Sequence, residues 1–171
     1  HNVLYAKVKR SRLPHARLLN IDTSKAERLN GVRVVVTASD TPDIRFGRLI
    51  SDETLFAREK VRFVGEPIAA VAAVDEETAE KALELIEVEY EELPAVYDPE
   101  EAMREGSPII HEDVEEYATS FDAVRHGNVG CHSVIEQGNI EEGFRRADFI
   151  FEDTFKTPSV HQCYLEPQSV I

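Results

Sequence analysis

A chain of 171 residues, 42% hydrophobic and 30% charged, has the composition of a globular protein large enough to bury roughly 70% of its unfolded surface without a structural metal or disulfide. Its formal net charge of −14 argues against nucleic acid or an anionic membrane surface as partner, since both need a basic face; the excess acid reads as surface solvation. Two cysteines, Cys131 and Cys163, stand 32 positions apart without a CxxC, which excludes a self-contained iron–sulfur cluster and fits free thiols in a reducing, cytoplasmic setting.

The start, HNVLYAKVKR, holds no apolar leader, and no apolar run is long enough to span a bilayer. With no initiator methionine and an end inside the apolar QSVI, the chain reads as cut from something longer. Residues 4–11 alternate, Leu4, Ala6 and Val8 against Tyr5, Lys7 and Lys9, and predict a strand. Pro14 breaks it, and residues 17–22 resume as a second strand. Ser24-Lys25-Ala26-Glu27 has the capping-box pattern of a short helix to Leu29, closed by Asn30-Gly31. VRVVVT, residues 32–37, is a β-branched strand. Residues 39–59 are a polar connection with Pro42 and Gly47, to which no regular element is assigned.

Residues 61–98 are the most strongly patterned stretch. Residues 68–74 form a continuous apolar run of seven, the signature of a strand buried on both faces. Asp75 stands at a helix N-cap, and Glu76 and Glu77 place negative charge at the positive end of the dipole. The helical spacing of Ala79, Leu83 and Ile86 makes one apolar stripe on that helix. The period then switches to two: Val88 and Tyr90 face one way and Glu87, Glu89 and Glu91 the other, as in a strand covered on one side, until Pro94 stops it. Residues 99–105 hold one or two helical turns ended by Gly106. Residues 107–130, with Gly127-Asn128, read as loop or linker. Residues 131–137 are a candidate strand. Asn139 caps a further helix with Glu142 three residues on and Ile140, Phe144 and Ala147 on its inner face. Residues 148–158 alternate, with Phe149, Phe151 and Phe155 on one side, and predict a last strand. Half-exposed strands interleaved with helices make the fold class α+β.

Few residues carry chemistry. Glu66, in the turn Gly65-Glu66-Pro67, either points into a cleft or sets up the following strand, and the second reading is favoured. Glu87, Glu89 and Glu91 form a solvated face rather than a catalytic acid pair, which needs carboxylates in unequal environments. His126, Cys131 and His132 lie close in sequence but lack a second pair at zinc spacing. His161 and Cys163 fall two apart, on one face if the segment is a strand; a nucleophilic pair there has no orienting third residue. GxGxxG, P-loop, GxSxG and HExxH motifs are all absent.

Three stretches carry a family resemblance: RSRLPHARLLNIDTSKAERLNGVRVVVTASDTP, VRFVGEPIAAVAAVDEETAEKALELIEVEYEELPAV, and GNIEEGFRRADFIFEDTFKTPSVHQCYLEPQSVI. They resemble the large, molybdenum-binding subunit of the xanthine dehydrogenase and aldehyde oxidase family. The resemblance implies an α/β-hammerhead domain over residues 1–120, a linker over 121–138, and the start of the molybdopterin-binding domain over 139–171. The H-x-x-x-x-E-P stretch from His161 to Pro167 matches a pattern of that next domain, and its VHQ-x-YLEP form is similar to members related to 4-hydroxybenzoyl-CoA reductase.

The resemblance implies a molybdenum hydroxylase. Its molybdopterin, in a dinucleotide form, oxidises an aldehyde or N-heterocycle, or in the reductase-like branch removes a phenolic hydroxyl from an aromatic acyl-CoA. It further implies an iron–sulfur subunit with 2Fe–2S clusters, an FAD subunit, a small-molecule substrate and an oligomeric whole enzyme. The family's catalytic glutamate lies downstream of residue 171, so no catalytic or metal-binding residue is expected here and the chain is expected to be inactive alone. Many members place a glutamine beside the cofactor where this chain has Val160, so that contact is not carried over; Gln162 is the expected cofactor-binding residue. Glu166 and Pro167 are read as framework. The alternative is a free-standing acidic protein-interaction domain with no redox role.

Overall fold

Strand-forming runs at the start of the chain return, after a long connection, to build two three-stranded sheets. The computed structural model describes residues 3–121 and 123–165. In chain order the elements are β1 (Tyr5–Arg10), β2 (Ala16–Asp22), α1 (Ser24–Glu27), β3 (Val32–Thr37), a 3-10 turn (Ala38–Asp40), β4 (Lys60–Val61), β5 (Pro67–Ala73), α2 (Glu76–Leu85), β6 (Glu87–Glu92), α3 (Pro99–Ala102), β7 (Val124–His126), β8 (Val129–His132) and α4 (Ile140–Arg146). They fall into two compact units, His1–Ser133 and Val134–Ile171. One sheet has the order β1-β5-β3 and the other β4-β2-β6, with every pairing antiparallel; β7 and β8 form a separate hairpin. Mixed helix and antiparallel sheet is the α+β class expected. No helix among the described residues is long and apolar enough to cross a membrane.

The helix caps follow local rules. Asp75 Oδ1 accepts the Thr78 amide at 2.8 Å and starts α2, and Asp98 Oδ1 accepts the amides of Glu100 and Glu101 to start α3. The capping box expected at Ser24 does not form: the N-cap is Thr23, and its side chain accepts no backbone amide. The Thr23 hydroxyl instead donates to Glu27 Oε1 at 2.5 Å and the Ser24 amide is taken by Asp22 Oδ1; α1 ends at Glu27 rather than Leu29. Gly31 follows with φ +99°, and a Cβ there would meet Val74 Cγ2 at 3.0 Å, so both backbone and space favour glycine.

Two clusters make the core of the first unit. Ala26, Ala69, Val71, Ala82 and Ile86 join α1, α2 and β5, and Ala16, Ala57, Val61 and Ile68 join the second sheet to the end of β5. The α2 stripe includes Ala82, which lets the helix lie close to the sheet, while Leu83 is only partly buried. β1 lies against α2 through its lysines. Lys7 Nζ reaches Glu76 at 2.5 Å and Glu80 at 3.1 Å, and Lys9 Nζ donates to the Leu83 carbonyl at 2.8 Å, their stems covering the sheet while Val8 stays exposed. Burial of β5 on both faces is not met: Ala69, Val71 and Ala73 are buried, whereas Ala70 and Ala72 on the opposite face are only half-buried.

Three expectations are corrected. Residues 107–130 are not all loop, because β7 and part of β8 pair within them; strands of three and four residues are too short to show a period. Of residues 131–137, only Cys131 and His132 belong to a strand. Residues 148–158 form no strand despite their alternation, since a strand needs a ladder partner and none among the described residues is paired to them. Within the second unit, Asn139 Oδ1 accepts the Glu142 amide at 2.8 Å and starts α4 as expected. Ile140, Phe144, Phe149, Phe151 and Phe155 are all exposed.

Candidate functional site

The first unit holds a cleft of about 560 Å³. Apolar side chains dominate its lining, among them Phe63 and Val64 after β4, Val96 after β6, and Ile110, Val114 and Tyr117. That size and character suit a small-molecule or peptide site. One wall is fixed by polar contacts. His111 Nδ1 lies 3.0 Å from the Tyr117 hydroxyl with the two rings edge to face, and the Arg45 guanidinium sits 4.6 Å above the Tyr117 ring. The Asn128 side chain ties the same wall: Oδ1 accepts the Ile110 amide, and Nδ2 donates to the carbonyls of Ala102 and Pro108.

His15 and Arg62 also line the cleft, each with a buried atom that has no hydrogen-bond partner among the described residues. His15 Nδ1 lies 2.7 Å from the Pro94 carbonyl, which can only accept, so Nδ1 carries a proton and donates it there. Both orphan atoms, His15 Nε2 and Arg62 Nε, are sealed from solvent, so neither is presented to an occupant of the cleft.

Burial, and then the positive charges of Arg62, Lys60 and Arg45 against the opposing pull of Asp52, hold the His111 imidazole below its ordinary value of 6.5. A base with a depressed folded pKa binds its proton more readily when unfolded. The contribution of His111 to stability is therefore flat above pH 6.5 and falls as the pH drops below it, at most about 1.4 kcal/mol per pH unit and less for a half-buried ring. Urea melts of the His111→Gln variant should lack this component; an unchanged pH profile would assign it to another group.

The residues singled out in the sequence are scattered. Glu66 is buried but faces its own turn: Oε2 accepts the Arg62 amide at 2.5 Å, and burial raises its carboxyl above the usual range against the lowering effect of its backbone bonds. Glu87, Glu89 and Glu91 are exposed; Glu87 pairs with Lys25, and Glu91 with Arg17 at 2.5 Å across the β2–β6 ladder. That is a solvated face. His126, Cys131 and His132 lie on the β7–β8 hairpin, whose turn has Gly127 at φ +55°. Among the described residues no group of three or more His, Cys, Asp or Glu could hold a metal ion.

His161 and Cys163 do not share a strand face. Cys163, at φ +52°, donates its amide to His161 Nδ1 at 3.0 Å and its thiol to the His161 carbonyl, not the ring, at 3.2 Å. Val160, His161, Gln162, Cys163, Tyr164 and Leu165 are all exposed, and by themselves they do not enclose a group the size of a pterin. Glu166 and Pro167 lie outside the described residues. The polar tie at Asn128 and the His111–Tyr117 pair were not legible in the sequence, where both fall in a stretch without a period.

Known proteins supply the family. The family model described as aldehyde oxidase and xanthine dehydrogenase, a/b hammerhead domain, matches residues 1–94. The chain is 42% identical over 167 residues to a probable xanthine dehydrogenase subunit of Bacillus subtilis (strain 168), a match that covers 97% of this chain and 21% of that protein. It is 37% identical over 169 residues to the nicotinate dehydrogenase large molybdopterin subunit of Eubacterium barkeri, covering 98% of this chain and 37% of that one. The chain thus spans well under half the length of these relatives. Among solved structures it is similar to the reconstituted CO dehydrogenase from Oligotropha carboxidovorans, with a TM-score of 0.62 and 40% identity over 66% of this chain and 15% of that chain. It is also similar to quinoline 2-oxidoreductase from Pseudomonas putida 86, with a TM-score of 0.57 and 36% identity over 64% of this chain and 15% of that chain. Since the family match takes in more than half of its residues, the chain belongs to the aldehyde oxidase and xanthine dehydrogenase family and carries that family's a/b hammerhead domain.

Proposed function

We propose that this chain is the N-terminal scaffold of the molybdopterin-binding large subunit of a molybdenum hydroxylase, and that it performs no chemistry alone. The observation that carries the reading is the 42% identity across 97% of the chain to a xanthine dehydrogenase subunit. The hammerhead then occupies residues 1–120, a linker residues 121–138, and the opening of the molybdopterin-binding domain residues 139–171. The substrate class is an N-heterocycle, since relatives are named for xanthine, nicotinate and quinoline; an aldehyde or an aromatic acyl-CoA is the second choice. The cofactor is a molybdopterin dinucleotide. An iron–sulfur subunit with 2Fe–2S clusters and an FAD subunit take the electrons in the cytoplasm.

In this scheme Gln162 is the one side chain of residues 1–171 directed to the cofactor, in a pocket completed by the rest of the subunit. The test is the complete large subunit produced with its neighbouring genes. Bound molybdenum and dye-coupled oxidation of an N-heterocycle are expected, with Gln162→Ala reducing turnover at unchanged molybdenum content. A complete subunit that takes up no molybdenum sinks the reading and favours the acidic interaction domain instead.

A further inference from the structure

The β1-β5-β3 sheet has two unlike faces. On one, Ala69 and Val71 of β5 pack on the helices together with Val35. On the other, the register aligns Ala6, Ala72 and Val34 in one row across the three strands, and Val8, Ala70 and Val36 in the next. All six are apolar and no polar side chain interrupts the two rows. Yet Val34 is 47% exposed and Val8 38%, while Ala70, Ala72 and Val36 are half-buried. Alanines line the central strand, and three of the four flanking residues, Val8, Val34 and Val36, are larger, with Ala6 the exception, so the face is a shallow trough along β5 that opens at Ala6.

An antiparallel sheet with one wet face alternates polar and apolar residues, and β5 does not; its uninterrupted apolar run is that of a strand covered on both sides. A contiguous apolar face of this kind marks an interface. The absence of charge from both rows is the character of a permanent, core-like interface rather than of one between separately stable partners. A match covering 97% of this chain takes in only 21% of the xanthine dehydrogenase relative, so about four fifths of that polypeptide is available to supply the cover.

We propose that this trough is an internal packing face of the large subunit, filled by an apolar helix of the same polypeptide outside residues 1–171. The inference rests on the reading of the chain as part of such a subunit. A helix is the fitting occupant because a sheet whose central strand is apolar on both faces sits between two layers, and α2 already forms one of them. The alanines of β5 let a second helix approach closely.

The experiment places a photoreactive benzoylphenylalanine at Val34, and separately at Val8, in the complete enzyme, and identifies the captured peptide by mass spectrometry. Capture of a segment of the same polypeptide outside residues 1–171 is the expected result. Capture of another subunit, capture of a second copy, or no capture overturns the inference. Molybdenum content of the same sample scores the family reading separately. In parallel, Val34→Glu should leave the melting temperature of the 171-residue chain unchanged while lowering the soluble yield of the complete subunit several-fold. Equal loss in both would show that Val34 serves the hammerhead alone and would also overturn the inference.

Discussion

Replacing Ile68 by alanine should lower the unfolding free energy of the chain by about 2–5 kcal/mol. Ile68 is fully buried where β5 meets the second sheet, and its cluster partners are Ala16, Ala57 and Val61. Two of those partners are alanines whose methyl groups are fixed by backbone, so the site cannot collapse onto the space left by the isoleucine. Ile21 and Val88 pack against both core clusters, so loosening one is felt by the other. The upper half of the range is therefore expected, read from urea melts with an unchanged m-value. Leu19→Ala, at a 59% exposed position of β2, is the internal reference and should stay within about 0.5 kcal/mol. A loss at Ile68 no larger than the loss at Leu19 would show that β5 is not the centre of the fold.

What could be read from the sequence was what depends on neighbours along the chain. Asp75 and Asn139 announce their helices because a cap acts on amides two or three residues away, and both do so at 2.8 Å. The acidic face of β6 was equally plain, because its period persists through Glu87, Glu89 and Glu91. What could not be read depends on contacts across the fold. Phe149, Phe151 and Phe155 alternate as a strand would, but no second strand among the described residues is paired with them. The apolar run of β5 announces two covered faces, and only the one beneath α1 and α2 is filled. The candidate site was less legible still. The VHQ-x-YLEP stretch has meaning only through family resemblance, and the cleft wall at residues 110–117 is built from a stretch with no pattern, held by side chains distant in sequence.

Asn128 is the clearest case, and its replacement carries the second large expected effect. Its amide makes three bonds: Oδ1 accepts the Ile110 amide at 3.0 Å, and Nδ2 donates to the carbonyls of Ala102 at 2.9 Å and Pro108 at 2.8 Å. One acceptor and two donors also fix which way the amide group points. At about 0.5–1.5 kcal/mol per neutral bond, Asn128→Ala should cost about 2–4 kcal/mol, with hydrogen exchange at Ile110 accelerated. Asn128→Asp separates the contributions. The carboxylate still serves the Ile110 amide but turns a negative oxygen toward two carbonyls, so at neutral pH it should be less stable than the alanine variant. Those carbonyls disfavour the ionised form, so the folded state holds the proton at a higher pH than the unfolded chain does. The lost stability therefore returns as the pH falls through that raised pKa, where the protonated acid can donate to one carbonyl. An aspartate variant as stable as the parent at neutral pH would mean that the two donated bonds contribute nothing, and that the wall of the cleft is held by Val114 and Tyr117 packing alone.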